Sequence, residues 1–100
     1  MSVYLIAQIT IHDRAGYGDY EAGFMEVFAQ FKGELLAVDE NAKTIEGDWN
    51  CTRTVLLKFP SEADAEAWYH SEAYQALAQH RFAASAGNIA LVQGMPTPLG

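Results

Sequence analysis

The stretch Glu46-Gly-Asp-Trp-Asn-Cys-Thr-Arg-Thr-Val-Leu-Leu-Lys-Phe-Pro60 decides the fold of this chain. From Arg53 to Phe59 the residues alternate, so Arg53, Val55, Leu57 and Phe59 share one face of a strand. Thr54, Leu56 and Lys58 share the other. Large apolar groups on both faces mark a central strand. Pro60 brings no N–H to a ladder and ends it, and Ser61-Glu-Ala-Asp64 then opens a helix as a capping box with Asp in place of Glu. Just before the strand, Glu46, Asp48, Trp49 and Arg53 form the densest polar and aromatic group in the sequence. A functional site is expected beside them.

Upstream, Val3 to Ile11 alternates as well. Val3, Leu5, Ala7, Ile9 and Ile11 form a wholly apolar face that should lie under helices, while Tyr4, Ile6, Gln8, Thr10 and His12 form a mixed one. Asp13 or Asp19 supplies an N-cap, and Tyr17, Tyr20, Phe24, Val27, Phe28 and Phe31 recur at helical spacing. Lys32 then gives the helix a basic last turn, with Gly33 as a left-handed stop. Glu34 to Asp39 is a short strand, and Thr44 to Gly47 is expected to resume it. Downstream of Pro60, Ala65, Trp68 and Tyr69 pack a helix that breaks near His70. Ser71 caps a second helix through Tyr74, Leu77, Ala78, Arg81 and Phe82, which Gly87 stops before a last strand from Asn88 to Gly94.

Strand, helix, strand, strand, helix in two pieces, strand is the ferredoxin-like βαββαβ order of an α+β fold. Right-handed crossovers place the helices on one face of a four-stranded antiparallel sheet. The other face then carries Tyr4, Ile6 and Leu56 over roughly several hundred Å², near the upper range that a monomer leaves open. Covering it with a second copy about a two-fold axis is the simplest remedy. The expectation is a homodimer whose two sheets enclose a barrel-like interior, a dimeric α/β barrel.

One hundred residues fit one small domain, drawn at residues 1–95 with a tail at 96–100. A formal charge of −7 argues against nucleic acid and against an anionic membrane surface. The first residues have neither the basic start of a signal peptide nor the length of a membrane span. The lone Cys51 forms no internal disulfide, which suits a reducing cytoplasm.

Several fragments together carry a resemblance. They are Tyr4 with Ile6, the spacing Asp13…Tyr17…Tyr20, Ile45-Glu46-Gly47, and Arg53-x-Val55-Leu56-x-x-Phe59-Pro60-Ser61. To these add Ala65-x-x-Trp68 and Ser71-x-x-Tyr74-Gln75…Arg81. From Val3 to Gly94 the chain resembles the bacterial domain-of-unknown-function family 1330. That resemblance implies membership of the dimeric α/β-barrel superfamily, whose relatives include cofactor-free monooxygenases, muconolactone isomerase-like enzymes and haem-binding proteins. It implies no activity, because the family is named for lacking one. The chain has Lys32-Gly33 where the family often has Gly-Gly.

Among single residues, Arg53 with Glu46 is the sharpest candidate. An arginine fork grips a carboxylate, whether a ligand's or a neighbouring side chain's. Two roles follow, an anchor for an acidic substrate or an ion pair that holds the protein together. His12, beside Asp13, has the pKa range of a general base, or is a strand-end residue without a task. Trp49 either lids a pocket or covers a partner subunit, and the interface role is favoured. No histidine or cysteine pair has ligand spacing, so no metal site is expected. Cys51 lacks a partner that would make it a nucleophile.

Two functions follow. The first is a barrel that binds or transforms a small, acidic organic molecule without a tightly bound cofactor, by isomerase- or monooxygenase-like chemistry. Tyr4, Gln8, Trp49 and Arg53 would bind substrate, and His12 or Glu46 would move a proton. The second is a homodimeric interaction module with a filled interior.

Overall fold

The computed structural model describes residues 2–96. Seven elements follow one another: β1 (Val3–Ile11), α1 (Arg14–Phe28), β2 (Glu34–Asp39), β3 (Arg53–Phe59), α2 (Glu62–Tyr69), α3 (Glu72–Ala84) and β4 (Ser85–Gln93). The strands form one sheet in the order β2-β3-β1-β4, every neighbouring pair antiparallel. Arg53–Phe59 thus lies inside the sheet, as its two apolar faces require. Of the expected tail, residues 97–100 lie outside the described residues.

The helices cover one face. Val3, Leu5, Ala7 and Ile9 of β1, with Leu57 and Phe59 of β3, are buried beneath Tyr17, Tyr20 and Phe28 of α1, Trp68 of α2, and Tyr74 and Ala78 of α3. Trp68 is the hub. Its ring lies 4.2 Å from that of Tyr74, 5.5 Å from Phe28 and 5.6 Å from Phe59. Aromatic contacts of this kind contribute about 0.5–1.5 kcal/mol each beyond burial. Each helix begins on a side-chain cap, with Asp13 accepting from Gly16 N–H, Ser61 from Asp64 N–H and Ser71 from Tyr74 N–H.

The expected barrel is overturned. The sheet is open, with β2 and β4 as edges separated by β3 and β1. Four strands are too few to twist round until their edges meet, since side-chain-filled barrels need about eight. What stands is the ferredoxin-like arrangement with helices on one face.

Three local expectations are also corrected. First, α1 ends at Phe28 rather than Lys32, and its exit tightens through Gln30 N–H to Val27 O and Phe31 N–H to Phe28 O. Gly33 is not a left-handed stop. A Cβ there would lie 2.4 Å from the Phe28 ring and 2.7 Å from the Phe59 ring, so glycine is required by close packing. Among the described residues only Gly47 has positive φ, at 77°. Second, Thr44–Gly47 does not resume a strand, and 40–52 is one long loop. Third, β4 starts at Ser85 with no loop after α3, and Gly87 lies within it, opposite Ile9. Ala84 O accepts N–H bonds from both His12 and Asp13, which ties this junction to the end of β1.

Candidate functional site

Side-chain parity along β1 and β3 splits the candidate residues. Ile9 faces Arg53 across the ladder, and both lie on the helix-covered side. Tyr4 and Gln8, opposite Lys58 and Thr54, point to the uncovered side. Arg53 is therefore on the other face of the sheet from Tyr4 and Gln8. Glu46 and Trp49 sit in the 40–52 loop, where they border a surface groove with Lys43 and Ile45, and Trp49 Nε1 donates to Thr54 Oγ1 at 2.9 Å. His12 is exposed at the end of β1. The structure does not gather these six residues into one place.

It does form a cavity of about 190 Å³ between the sheet and α1, α2 and α3. Most of its wall is apolar, with aliphatic groups such as Leu5, Ile9, Val38, Val55, Leu57 and Ile89 beside aromatic rings. Polar groups enter at two places. At the mouth, Arg53 Nη1 contacts Glu40 at 2.6 Å and Glu21 at 3.1 Å, and Arg14 reaches the same Glu40 oxygen at 3.0 Å. The hydrogen bonds from Arg14 and then Arg53 hold the Glu40 carboxyl below its ordinary pKa. The carboxylate partners of Arg53 are thus Glu21 and Glu40, and Glu46 is not among them. Its guanidinium also lies over the Tyr17 ring, 5.4 Å from the centroid.

Across Ile9 from Arg53, over Gly87, lies Arg81, only 5% exposed. It occupies the buried stripe of α3 with Tyr74 and Ala78, at spacings that share one helix face. The guanidinium stands over the Tyr20 and Phe82 rings, 5.8 and 4.8 Å from their centroids. Gly87 leaves it room, since a Cβ there would be 3.3 Å from Arg81 Nη1. Burial opposes the charge, but Tyr74 and Tyr20 outweigh that effect and raise the pKa above the ordinary arginine value. Arg81 is a cation, and among the described residues no carboxylate pairs with it.

The Tyr20 and Tyr74 hydroxyls share a 2.8 Å hydrogen bond in the same wall. Burial foremost, with Tyr74 adding to it, pushes the Tyr20 phenol far above its usual value, so it stays protonated. Burial likewise raises Tyr17. Four buried side-chain nitrogens have no acceptor among the described residues: Arg53 Nε, Trp68 Nε1, Arg81 Nε and Arg81 Nη2. All belong to residues lining the cavity. Buried donors are almost always paired, so these four are exceptions among the side chains that line the cavity.

Arg81, Tyr20 and Tyr74 are absent from the six residues singled out by sequence. The available signal was a charged residue on an otherwise apolar helical stripe. Among the described residues, no group of three or more His, Cys, Asp or Glu side chains is placed to hold a metal ion. Nor is any helix long and apolar enough to cross a membrane.

Solved structures share this architecture. A Rhodopseudomonas palustris protein of unknown function superposes with a TM-score of 0.78 at 14% identity, over 96% of this chain and 84% of that one. SnoaB, a cofactor-independent oxygenase from Streptomyces nogalater, gives 0.71 at 13% identity, over 97% and 96%. A dimeric ferredoxin-like protein of unknown function from Jannaschia sp. CCS1 gives 0.72 at 10% identity, over 94% and 100%. At such identities the likeness shows the fold. No curated protein gives a match to this sequence. The family model for a domain of unknown function, DUF1330, matches residues 2–95, and the chain belongs to that family.

Proposed function

We propose that the protein binds a small organic anion with an apolar body in the cavity between sheet and helices, anchored by Arg81. The observation that carries this is a buried guanidinium without a carboxylate partner among the described residues. A buried charge left unpaired costs several kcal/mol, and a ligand carboxylate offsets that cost on binding. The cavity is smaller than the usual range of roughly 300–1,000 Å³ for ligand pockets. It still exceeds the roughly 150 Å³ in which an apolar cavity takes up benzene, so a single ring or short branched chain is the right size.

SnoaB, of the same fold, is described as an oxygenase that needs no cofactor. Chemistry of that kind here would draw on cavity groups: the Tyr20 and Tyr74 hydroxyls as donors and Glu21 as a carboxylate. His12 and Glu46 lie outside the cavity, so they are not given the proton-transfer role. The test is calorimetry with a panel of small alicyclic and aromatic carboxylates against the native protein and Arg81→Met. Binding of at least one acid that Arg81→Met weakens by about a hundredfold is the expected result. Affinity unchanged by the substitution would overturn the anchor.

A second copy covering the uncovered face supplies a companion proposal. Tyr4, Ile6 and Leu56 are only half-buried there, and Val92 is 44% exposed. The Jannaschia protein, described as dimeric, supports it. Leu56→Glu should turn a dimer into a monomer on sizing columns, and a native protein monomeric at micromolar concentration would refute the pairing. A cytoplasmic setting, suited to a free Cys51, belongs to the same proposal.

A further inference from the structure

Resting on Arg81 as the anion anchor, we propose that the ligand is an elongated monocarboxylate whose apolar body crosses the sheet and leaves the cavity over a lip made by Met25, Leu35 and Val38. Arg81 supplies one end. Its Nε and Nη2 lie on the same edge of the planar guanidinium and lack an acceptor among the described residues. That edge is the fork that takes the two oxygens of one carboxylate. Exposure sets the other end. Met25, Leu35 and Val38 line the same cavity as Arg81, yet they are 53%, 40% and 42% exposed. The cavity is therefore open between α1 and β2, and its rim there is apolar. Exposed apolar surface that continues a pocket wall is suited to the apolar part of the pocket's ligand.

Strand register gives the span. Arg81 Nη1 stands over Gly87 of β4, whose neighbours across the ladders are Ile9 of β1 and then Arg53 of β3. Leu35 and Val38 belong to β2, three strand spacings from β4, so the body crosses at least roughly 14 Å. Straight across, level with Ile9, stands the charged cluster of Arg53 with Glu21 and Glu40. An apolar body slants away from it along the strands, above Val55 and Leu57, the ladder partners of Val38 and Leu35. That path is longer than a single ring with its carboxylate. The interior of about 190 Å³ holds the first part of the body, and the rest lies on the rim. A second copy placed on the uncovered face leaves this rim open. Leu35 and Val38 share the helix-covered side with Leu57 and Val55, on the other side of the sheet from Tyr4, Ile6 and Leu56.

The experiment is isothermal calorimetry at neutral pH with butanoate, hexanoate, octanoate and decanoate. Each two-carbon step should tighten binding about fivefold or more, as methylenes leave water first for the interior and then for the lip. Arg81→Met should weaken all four by about a hundredfold. Met25→Gln, Leu35→Asn and Val38→Thr together keep side-chain shape but make the lip polar. They should bring decanoate to within about threefold of hexanoate while leaving hexanoate unchanged. If that triple variant does not fold, Met25→Gln alone, on an exposed position of α1, should narrow the decanoate advantage about threefold. Affinity that levels off at hexanoate, or a length gain that survives the polar lip, would overturn the elongated ligand and leave the anchor standing if Arg81→Met still weakens hexanoate. No binding by any of the four, or binding indifferent to Arg81→Met, would overturn the anchor itself.

Discussion

Two arginines line the cavity at the same end of the sheet, one beside Ile9 and one over Gly87, and they are embedded in opposite ways. Arg53 shares its Nη1 between Glu21 and Glu40 and is tied through Glu40 to Arg14, so its charge is balanced within the fold. Arg81 is more deeply buried, stands over aromatic rings, and meets no carboxylate among the described residues. An arginine that already has its partners belongs to the architecture; one that folding has buried without them is placed for something that arrives later. Position in the sequence says nothing about which is which.

The contrast breaks most sharply at Arg81. Arg81→Met should weaken any acid that binds by about a hundredfold, since hydrogen bonds to charged groups contribute about 1.5–3 kcal/mol. The unliganded protein should melt no lower, because the substitution removes an unpaired buried charge and keeps an apolar stem. Calorimetry with a thermal melt reads both, and a large drop in melting temperature would make Arg81 architectural after all.

Next comes the hydroxyl pair beside it. Tyr74→Phe strands the Tyr20 hydroxyl and should cost about 1–2 kcal/mol in urea unfolding. Adding Tyr20→Phe should cost less than a second equal step, since it removes the stranded group. Strict additivity would mean that the 2.8 Å contact does not couple the two residues.

At the mouth the effect should be smaller. Arg53→Met leaves Glu21 and Glu40 facing each other, but both are more than a third exposed, so solvent screens them. A loss of about 1 kcal/mol, shrinking as salt is added, is expected in the same unfolding assay. Smallest is the acid limb. Glu40 has a folded pKa below its ordinary 4.5, so its contribution is complete above that value and disappears as pH falls through the lowered one. Comparing urea midpoints at neutral and acid pH, Glu40→Gln should show a shallower decline than the native chain. Identical slopes would remove Glu40 from the network.

The sequence carries the elements more fully than their junctions. Alternation from Val3 to Ile11 and from Arg53 to Phe59 matches both strands end to end, because period-two burial is a local property. The exit of α1 was misplaced because Gly33 looks like a helix stop, whereas the ring of Phe28 at the helix end and that of the distant Phe59 demand it. Barrel closure could not be judged from strand patterns, since it depends on whether edges meet in space. For the site, Arg53 stood out beside polar neighbours in the chain. Its partners are Glu21 and Glu40, and Tyr4 and Gln8 lie across the sheet from it. Arg81 was visible only as one more member of the Tyr74 stripe. Its lack of a carboxylate partner among the described residues is a fact of three dimensions.

The direct passage from α3 into β4 has a consequence for how this protein can vary. Most connections absorb insertions, and the 40–52 loop has ample slack for them. Between Ala84 and Ser85 there is none. Ala84 O holds the end of β1, and Ser85 Oγ holds the Arg81 carbonyl at 2.6 Å. One residue added there would either turn every β4 side chain to the other face or rotate Arg81 out of the cavity. Length is free to drift in one connection and frozen in the other, and the frozen one sets the aim of the anchor.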